Sequence, residues 1–159
     1  MSLTLIIGNK NYSSWSLRAA LAMELAQTPY DQVLIALDQP DTRTQILAYS
    51  PTGKVPLLQT EEGPLWDSLA IAEYLAERYP QAQLWPRERY ARGVARSICA
   101  EMHSGFMALR SHLPMDLTRD QPLPAMPADA QADIQRVLEI WRDCRPRFGA
   151  GGAFLFGQA

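Results

Sequence analysis

Residues 50–58 read Ser50-Pro51-Thr52-Gly53-Lys54-Val55-Pro56-Leu57-Leu58, a loop dense in proline and glycine that leads into an apolar run. A proline at the start of a strand can take the cis form, which is scarce and usually has a specific role. Val55 before it can then turn its backbone N–H and C=O toward a peptide ligand, as an added strand would. Lys54 can meet a carboxylate. A plain turn with a solvated lysine is the alternative interpretation.

The segments around this loop alternate strands with helices. Short apolar runs predict strands, and apolar residues at helical spacing predict helices. The predicted strands are Leu3–Ile7, Gln32–Ala36, Leu57–Gln59 and a fourth that begins at Leu65–Trp66. The predicted helices run from Trp15 to about Gln27, from Asp41 or Thr42 to Tyr49, and from Asp67 to Tyr79, before Pro80. The order βαβα followed by ββα predicts a thioredoxin-like α/β domain over residues 1–79.

The pattern becomes helical after residue 79. Residues 80–87 are rich in proline and predict a linker. A second helix-rich part follows, and residues 88–159 are predicted to form an all-α helical-bundle domain. One predicted helix extends over about 25 residues to Pro114, and its apolar stripe is Val94, Ile98, Met102, Phe106, Leu109 and Leu113. The other runs from Ala128 to about Phe148, before Gly149.

The composition indicates a globular protein without a charge-driven partner. Hydrophobic residues make up 47% of the chain, charged residues 20%, and the net charge is −2, so no long-range attraction to nucleic acid or anionic lipid is expected. No apolar run approaches the roughly 18 residues that span a bilayer, and no basic region precedes the apolar N-terminus. We therefore expect no membrane partner and a cytoplasmic location. The spacing of Cys99 and Cys144 predicts two buried thiols and no bound metal.

The loop after the first strand places hydroxyl groups where a helix begins. Tyr12, Ser13 and Ser14 lie there, and a helix N-terminus carries unpaired N–H groups and the positive end of a dipole. A hydroxyl at this position can donate to an anionic sulfur and help to keep it ionised. The alternative is that Ser13 or Ser14 only caps the helix.

A second helix start follows the predicted hairpin. Asp67-Ser68 opens the third helix of the first domain, and the free N–H groups of a helix N-terminus can bind a carboxylate. The Ser68 hydroxyl adds a donor, and the Asp67 carboxylate can accept from an ammonium group. Together they suit the head group of an α-amino acid. A simple N-cap by Asp67 is the alternative, and the two roles are compatible.

Three segments together resemble the N-terminal domain of glutathione transferases. They are Tyr12-Ser13-Ser14-Trp15-Ser16-Leu17-Arg18, the loop 50–58 quoted above, and Asp67-Ser68-Leu69-Ala70-Ile71-Ala72-Glu73-Tyr74-Leu75. The Ser-Ser-x-Ser-x-Arg portion is similar to that of the zeta class, the maleylacetoacetate isomerase group. The resemblance implies an enzyme that uses glutathione as co-substrate, needs no metal, and forms a homodimer in the cytoplasm. It also implies a longer helical domain, so we expect residues 88–159 to be an incomplete one.

The resemblance assigns a role to residues near the sulfur and the peptide backbone of glutathione. It implies that Ser13 is the catalytic hydroxyl that faces the sulfur, with Ser14 as the competing candidate. Val55 would pair with the cysteinyl backbone ahead of a cis Pro56. Lys54 would contact glutathione.

The two ends of glutathione are assigned in the same way. Asp67 and Ser68 match the acidic residue and serine that hold the γ-glutamyl head, and Arg43 is a candidate for the glycine carboxylate. The implied reaction is attack of the glutathione thiolate on a small electrophile or a peroxide. A non-catalytic binding or scaffold protein and a zeta-like maleylacetoacetate isomerase remain as alternatives.

Overall fold

A computed structural model describes residues 3–123 and 125–158, which divide into two compact units after residue 84. The first unit contains β1 (Leu3–Ile7), α1 (Ser14–Ala26), β2 (Tyr30–Leu34), α2 (Thr42–Leu47), β3 (Leu57–Gln59), β4 (Pro64–Trp66) and α3 (Ser68–Arg78). A short 3-10 helix, Pro80–Ala82, follows within the segment predicted as a linker. The predicted order βαβα followed by ββα is confirmed.

The four strands form one mixed sheet in the order β2-β1-β3-β4. β1 and β2 are parallel, and the pairs β1–β3 and β3–β4 are antiparallel. The prediction of β2 at Gln32–Ala36 is wrong by two residues. Its register pairs Leu3 with Tyr30 and Ile7 with Leu34, so the strand ends where β1 ends.

β1 is buried on both faces, because helices cover both sides of the sheet. Leu5 and Ile7 pack with Met23 of α1 and with Ile71 and Leu75 of α3. On the other face, the core consists of Ile6, Ile35, Ile46 and Leu57. Burial on two faces explains why Leu3–Ile7 is a nearly continuous apolar run rather than an alternating one.

The register brings three chain segments to one edge of the sheet. Ile6 pairs with Leu57, and Leu57 pairs with Trp66, so these residues form a row across β1, β3 and β4. Beyond this row, the C-terminal ends of β1 and β4 lie beside the N-terminal end of β3. The loop after β1, the segment before β3 and the start of α3 therefore lie at the same edge.

The second unit is helical, with α4 (Arg89–Ser104), α5 (Met107–His112) and α6 (Ala128–Phe148). Phe106, Ile140 and Cys144 form its buried core. The Arg136 guanidinium of α6 bonds to both oxygens of Glu101 on α4, at 2.6 and 2.9 Å, and lowers the pKa of the Glu101 carboxyl. Cys144 is buried, whereas the prediction that Cys99 is also buried is wrong, because Cys99 is half-exposed. Burial raises the pKa of the Cys144 thiol.

The prediction of one helix up to Pro114 is wrong, because the helix breaks at Gly105–Phe106. Gly105 is extended, with φ −116° and ψ −163°, and Phe106 is left-handed, with φ 58° and ψ 39°. Phe106 is nevertheless 7% exposed and packs in the core. The Asp133 carboxylate of α6 accepts a hydrogen bond from the N–H of Leu109 at 2.9 Å, near the start of α5. The apolar spacing continues through the break, so periodicity alone did not indicate it.

Within the described residues, the helices are each too short or too polar to cross a membrane.

Candidate active site

Asn9 organises the loop that leads from β1 to α1. Its carbonyl oxygen accepts a hydrogen bond from the N–H of Ser13 at 2.8 Å. Its side-chain oxygen accepts from the Tyr12 hydroxyl at 2.6 Å and from the N–H of Leu37 at 2.9 Å. These bonds tie the loop both to itself and to the segment after β2, and so fix where Ser13 begins the helix. No local pattern predicts this role of Asn9, because its partner Leu37 is 28 residues away.

Ser13 is the N-cap of α1, and its half-buried hydroxyl bonds to the buried Ser16. Its Oγ accepts from the N–H of Ser16 at 3.4 Å and donates to Ser16 Oγ at 2.9 Å. Ser16 is fully buried and also accepts from the N–H of Gly8 at 2.9 Å. Ser14 is the first residue of α1 and is half-buried. Its hydroxyl makes no hydrogen bond to any other residue in the described ranges. The cap interpretation of Ser13 is confirmed, and it is compatible with a role toward a ligand.

The segment before β3 presents an unpaired backbone. The Val55–Pro56 peptide bond is cis, as predicted. Val55 is half-buried, and its N–H and C=O form no hydrogen bond within residues 3–123 and 125–158. An extended peptide could add to this segment as a strand adds to a sheet edge.

Two cations lie beside the loop that precedes Val55. The Lys54 side chain is exposed. Gly53 takes φ 65°, a left-handed conformation suited to glycine, and a methyl group there would lie 3.3 Å from Arg43 Nη1. Arg43 of α2 therefore lies against this loop at Gly53, the residue that precedes Lys54.

Asp67 is held in a strained backbone conformation at the start of α3. Its φ of 75° and ψ of 139° are rare for any residue other than glycine. Its Oδ1 accepts from the N–H of Leu69 at 2.8 Å and so caps the helix. Strain of this kind costs on the order of 1–3 kcal/mol and is concentrated at functional sites.

Ser68, the first residue of α3, is 6% exposed. The buried polar residues in the described part of the chain are Ser16, Ser50, Thr60 and Ser68. The hydroxyls of the first three make internal hydrogen bonds, whereas that of Ser68 makes none within the same ranges. The Ser68 hydroxyl is therefore available to a ligand, and it lies beside the free N–H groups of a helix N-terminus.

The sheet register thus brings the predicted site residues to one edge of the first unit. Ser13 and Ser14 follow β1, Lys54 and Val55 precede β3, and Asp67 and Ser68 follow β4. The described residues contain no cluster of three or more histidine, cysteine, aspartate or glutamate side chains that could hold a metal ion.

The sequence of this region matches a known family. A sequence model of the glutathione S-transferase N-terminal domain matches residues 12–78. Residues 12–78 are thus similar to the N-terminal domain of the glutathione S-transferase family. The match includes each of the three segments that the sheet brings to one edge.

Curated proteins similar to this chain include transferases and isomerases. The maleylacetoacetate isomerase of Pseudomonas aeruginosa is 38% identical over 100 residues, covering 59% of this chain and 47% of that protein. Glutathione S-transferase GstB of Escherichia coli K12 is 37% identical over 79 residues, covering 48% of this chain and 38% of that protein. The chain thus matches less than half the length of these relatives.

Solved structures show the same fold. A glutathione transferase homolog from Burkholderia gl BGR1, crystallised with bound glutathione, superposes with a TM-score of 0.71 at 24% identity, covering 99% of this chain and 72% of that one. The Tau class glutathione S-transferase of mango, Mangifera indica, gives a TM-score of 0.72 at 20% identity, covering 99% and 69%. A thioredoxin-like domain followed by a helical domain, as predicted, is therefore confirmed as the fold class.

Proposed function

We propose that this protein binds glutathione at the edge of the sheet in the first unit and activates its thiol for attack on a small electrophile. The observation that carries the proposal is the row Ile6–Leu57–Trp66, which aligns three strand ends with complementary chemistry. One end offers hydroxyls, the middle an unpaired backbone, and the other a helix N-terminus. Glutathione offers matching groups: the cysteinyl thiol, the cysteinyl backbone from which the thiol branches, and the γ-glutamyl head joined to that backbone.

The γ-glutamyl head group is assigned to the start of α3. Its carboxylate would accept from Ser68 Oγ and from the free N–H groups of the helix, and its ammonium would face the Asp67 carboxylate. Hydrogen bonds that involve a charged group contribute about 1.5–3 kcal/mol each. Ser68 supports this assignment because its hydroxyl has no internal hydrogen-bond partner within the described residues and is therefore available to a ligand.

The rest of the tripeptide follows from the geometry of the loop before β3. The cysteinyl N–H and C=O would pair with the backbone of Val55. The glycine carboxylate would then point toward two cations, the exposed Lys54 that follows Gly53 and Arg43, whose guanidinium lies beside Gly53. A homodimer is a further part of the proposal, and light scattering on the purified protein tests it.

The reacting sulfur is assigned to Ser13 at the N-terminus of α1, with Ser14 as the alternative donor. A free thiol has a pKa of about 8.5, and each unit of lowering requires about 1.4 kcal/mol. One hydrogen bond to the thiolate supplies about 1.5–3 kcal/mol, so one hydroxyl lowers this pKa by about one to two units. The thiolate then attacks an electrophilic carbon, and the leaving group departs with the bonding electron pair.

Substitution of the two serines tests the assignment. In Ser13→Ala, turnover of glutathione with a chlorinated aromatic substrate should fall about 10- to 100-fold, while the affinity for glutathione changes little, because the lost bond stabilises the thiolate. Ser14→Ala is the matched control, with near-normal turnover. The reverse result would assign the sulfur to Ser14, and normal turnover in both variants would refute activation by a hydroxyl. Retention on a glutathione resin without any wild-type turnover would favour a non-catalytic binding protein.

A second candidate function is isomerisation. The 38% identity to the maleylacetoacetate isomerase of Pseudomonas aeruginosa supports it. Both reactions start with the same thiolate, which in the isomerase case adds to a double bond and leaves again after rotation. Turnover of maleylacetoacetate with glutathione in catalytic amount would distinguish isomerisation from conjugation, which consumes glutathione.

A further inference from the structure

Ser16 forms the buried end of the hydroxyl cluster at the start of α1. Its side chain is fully buried, and its Oγ lies 2.9 Å from both Gly8 N and Ser13 Oγ. Gly8 directly follows β1, so its N–H is fixed at the rigid end of the sheet. Ser16 therefore connects this backbone donor with the hydroxyl that we assign to the sulfur.

The Ser13–Ser16 hydrogen bond would have to reverse for Ser13 to donate to a ligand. In the structure, Ser13 O–H donates to Ser16 Oγ, so the Ser13 proton points away from any ligand. A hydroxyl has one donor and two acceptor sites and can rotate. If Ser16 turns its O–H toward Ser13 Oγ while it still accepts from Gly8, then the Ser13 proton becomes free to face a thiolate.

We propose that Ser16 is a positioning residue for Ser13, an inference that rests on the proposed function. With glutathione bound as the thiolate, the hydrogen bonds would run from Gly8 N–H to Ser16, from Ser16 O–H to Ser13, and from Ser13 O–H to the sulfur. Each bond in such a chain polarises the next. No proton changes its heavy atom, and only the two hydroxyl hydrogens rotate.

The same chain selects Ser13 over Ser14. Ser14 makes no hydrogen bond to Ser16 or Gly8 within the described residues, so its hydroxyl lacks this support. The ionisable side chains of the loop and the first helical turn are Lys10, Tyr12 and Arg18, and none of them hydrogen-bonds to Ser13 or Ser16 in the described part of the chain. Tyr12 bonds to Asn9 instead.

The test is a pH titration of the thiolate absorbance of glutathione bound to the 159-residue chain. In wild type, the pKa of the bound thiol should lie below that of free glutathione. In Ser16→Ala, it should rise by about one unit. The affinity for S-methylglutathione, which has no ionisable thiol, should remain within about twofold of wild type, because Ser16 does not touch the ligand.

Two further variants separate positioning from a merely structural role. Thr60→Val removes another buried hydroxyl with internal bonds, and it should leave the thiol pKa unchanged. In a Ser13→Ala background, adding Ser16→Ala should give no further rise, because Ser16 acts through Ser13. If Ser16→Ala fails to fold, Ser16→Cys replaces it, since its volume is close to that of serine and its thiol is a weak donor.

The outcomes distinguish this inference from the proposed function. A lowered thiol pKa in wild type that Ser16→Ala and Ser16→Cys both leave unchanged would overturn the role of Ser16 and keep the proposed function. An unshifted thiol pKa in wild type, or no binding of glutathione, would overturn both. Equal rises in Ser16→Ala with and without Ser13 would show that Ser16 does not act through Ser13, which also overturns the inference.

Discussion

At the scale of single residues, Ser68 and Thr60 are both buried residues of the first unit that carry a hydroxyl. They differ because, within the described ranges, only the Thr60 hydroxyl has internal hydrogen-bond partners. Thr60 Oγ1 donates to the carbonyl of Gly63 at 2.8 Å and accepts from the N–H groups of Glu62 and Gly63 at 3.1 and 3.2 Å. It thereby closes the β3–β4 turn. Ser68 has no such internal partner within the described ranges. Its hydroxyl therefore adds no comparable hydrogen bond to the stability of the protein without ligand.

This contrast predicts opposite effects of two substitutions. Thr60→Val should lower the free energy of unfolding by about 1–3 kcal/mol, because it strands two N–H groups, and should leave glutathione affinity nearly unchanged. Ser68→Ala should change the free energy of unfolding by less than about 0.5 kcal/mol and weaken glutathione binding about tenfold or more. Urea unfolding and titration calorimetry on each variant measure both quantities. A large loss of stability in Ser68→Ala would contradict the assignment of its hydroxyl to a ligand.

The sequence supports prediction of some site residues better than others. Four site residues lie between a predicted strand and the predicted helix that follows it, so their position at a helix start follows from local patterns alone. They are Ser13, Ser14, Asp67 and Ser68. The supporting bonds of Ser16 to Gly8 span eight residues, and those of Asn9 reach Leu37 across β2. Such contacts depend on the packed fold, and no local pattern indicates them.

At the scale of elements, the predicted bounds are correct where residues next to the boundary mark it. β3 at Leu57–Gln59 and α6 at Ala128–Phe148 match the predicted bounds, because Pro56 precedes β3 and Pro127 and Gly149 flank α6. It failed at the break between α4 and α5. There the apolar spacing is kept, and the decisive contribution is the burial of Phe106 against α6, which offsets the cost of its left-handed backbone.

Two glycines of the second unit test this account of the break. A methyl group at Gly105 would lie 2.9 Å from the carbonyl oxygen of Glu101, whereas one at Gly93, inside α4, would have no neighbour within 4 Å. Gly105→Ala should therefore lower the free energy of unfolding by about 1–3 kcal/mol. Gly93→Ala should raise it by about 0.5–1 kcal/mol, because alanine has less freedom in the unfolded chain. Thermal or urea unfolding measures both. Stabilisation by Gly105→Ala would show that the helix can run through the break.

At the scale of the whole molecule, the chemistry of the site and the family match fall in the same part of the chain. The match ends at residue 78, and the predicted site residues all precede that point. The second unit has its own core around Phe106, Ile140 and Cys144. Its assignment as a transferase-like helical domain rests on the fold of the structural neighbours. Recognition of glutathione is therefore a property that the first unit should carry.

Hydrogen exchange with and without glutathione tests whether the first unit carries the glutathione site. A ligand that binds the folded state at 100 times its Kd stabilises it by about 2.7 kcal/mol. We expect the added protection in residues 8–16, 53–57 and 67–71, because their N–H groups line the proposed site or support it, and we expect the amides of α6 around Ile140 to exchange at an unchanged rate. Ser68→Ala, which should bind about tenfold more weakly, serves as the control and should retain only about 1.4 kcal/mol of this stabilisation, roughly half, at the same glutathione concentration. Protection centred on α6, or equal protection in Ser68→Ala, would place the glutathione site elsewhere in the molecule.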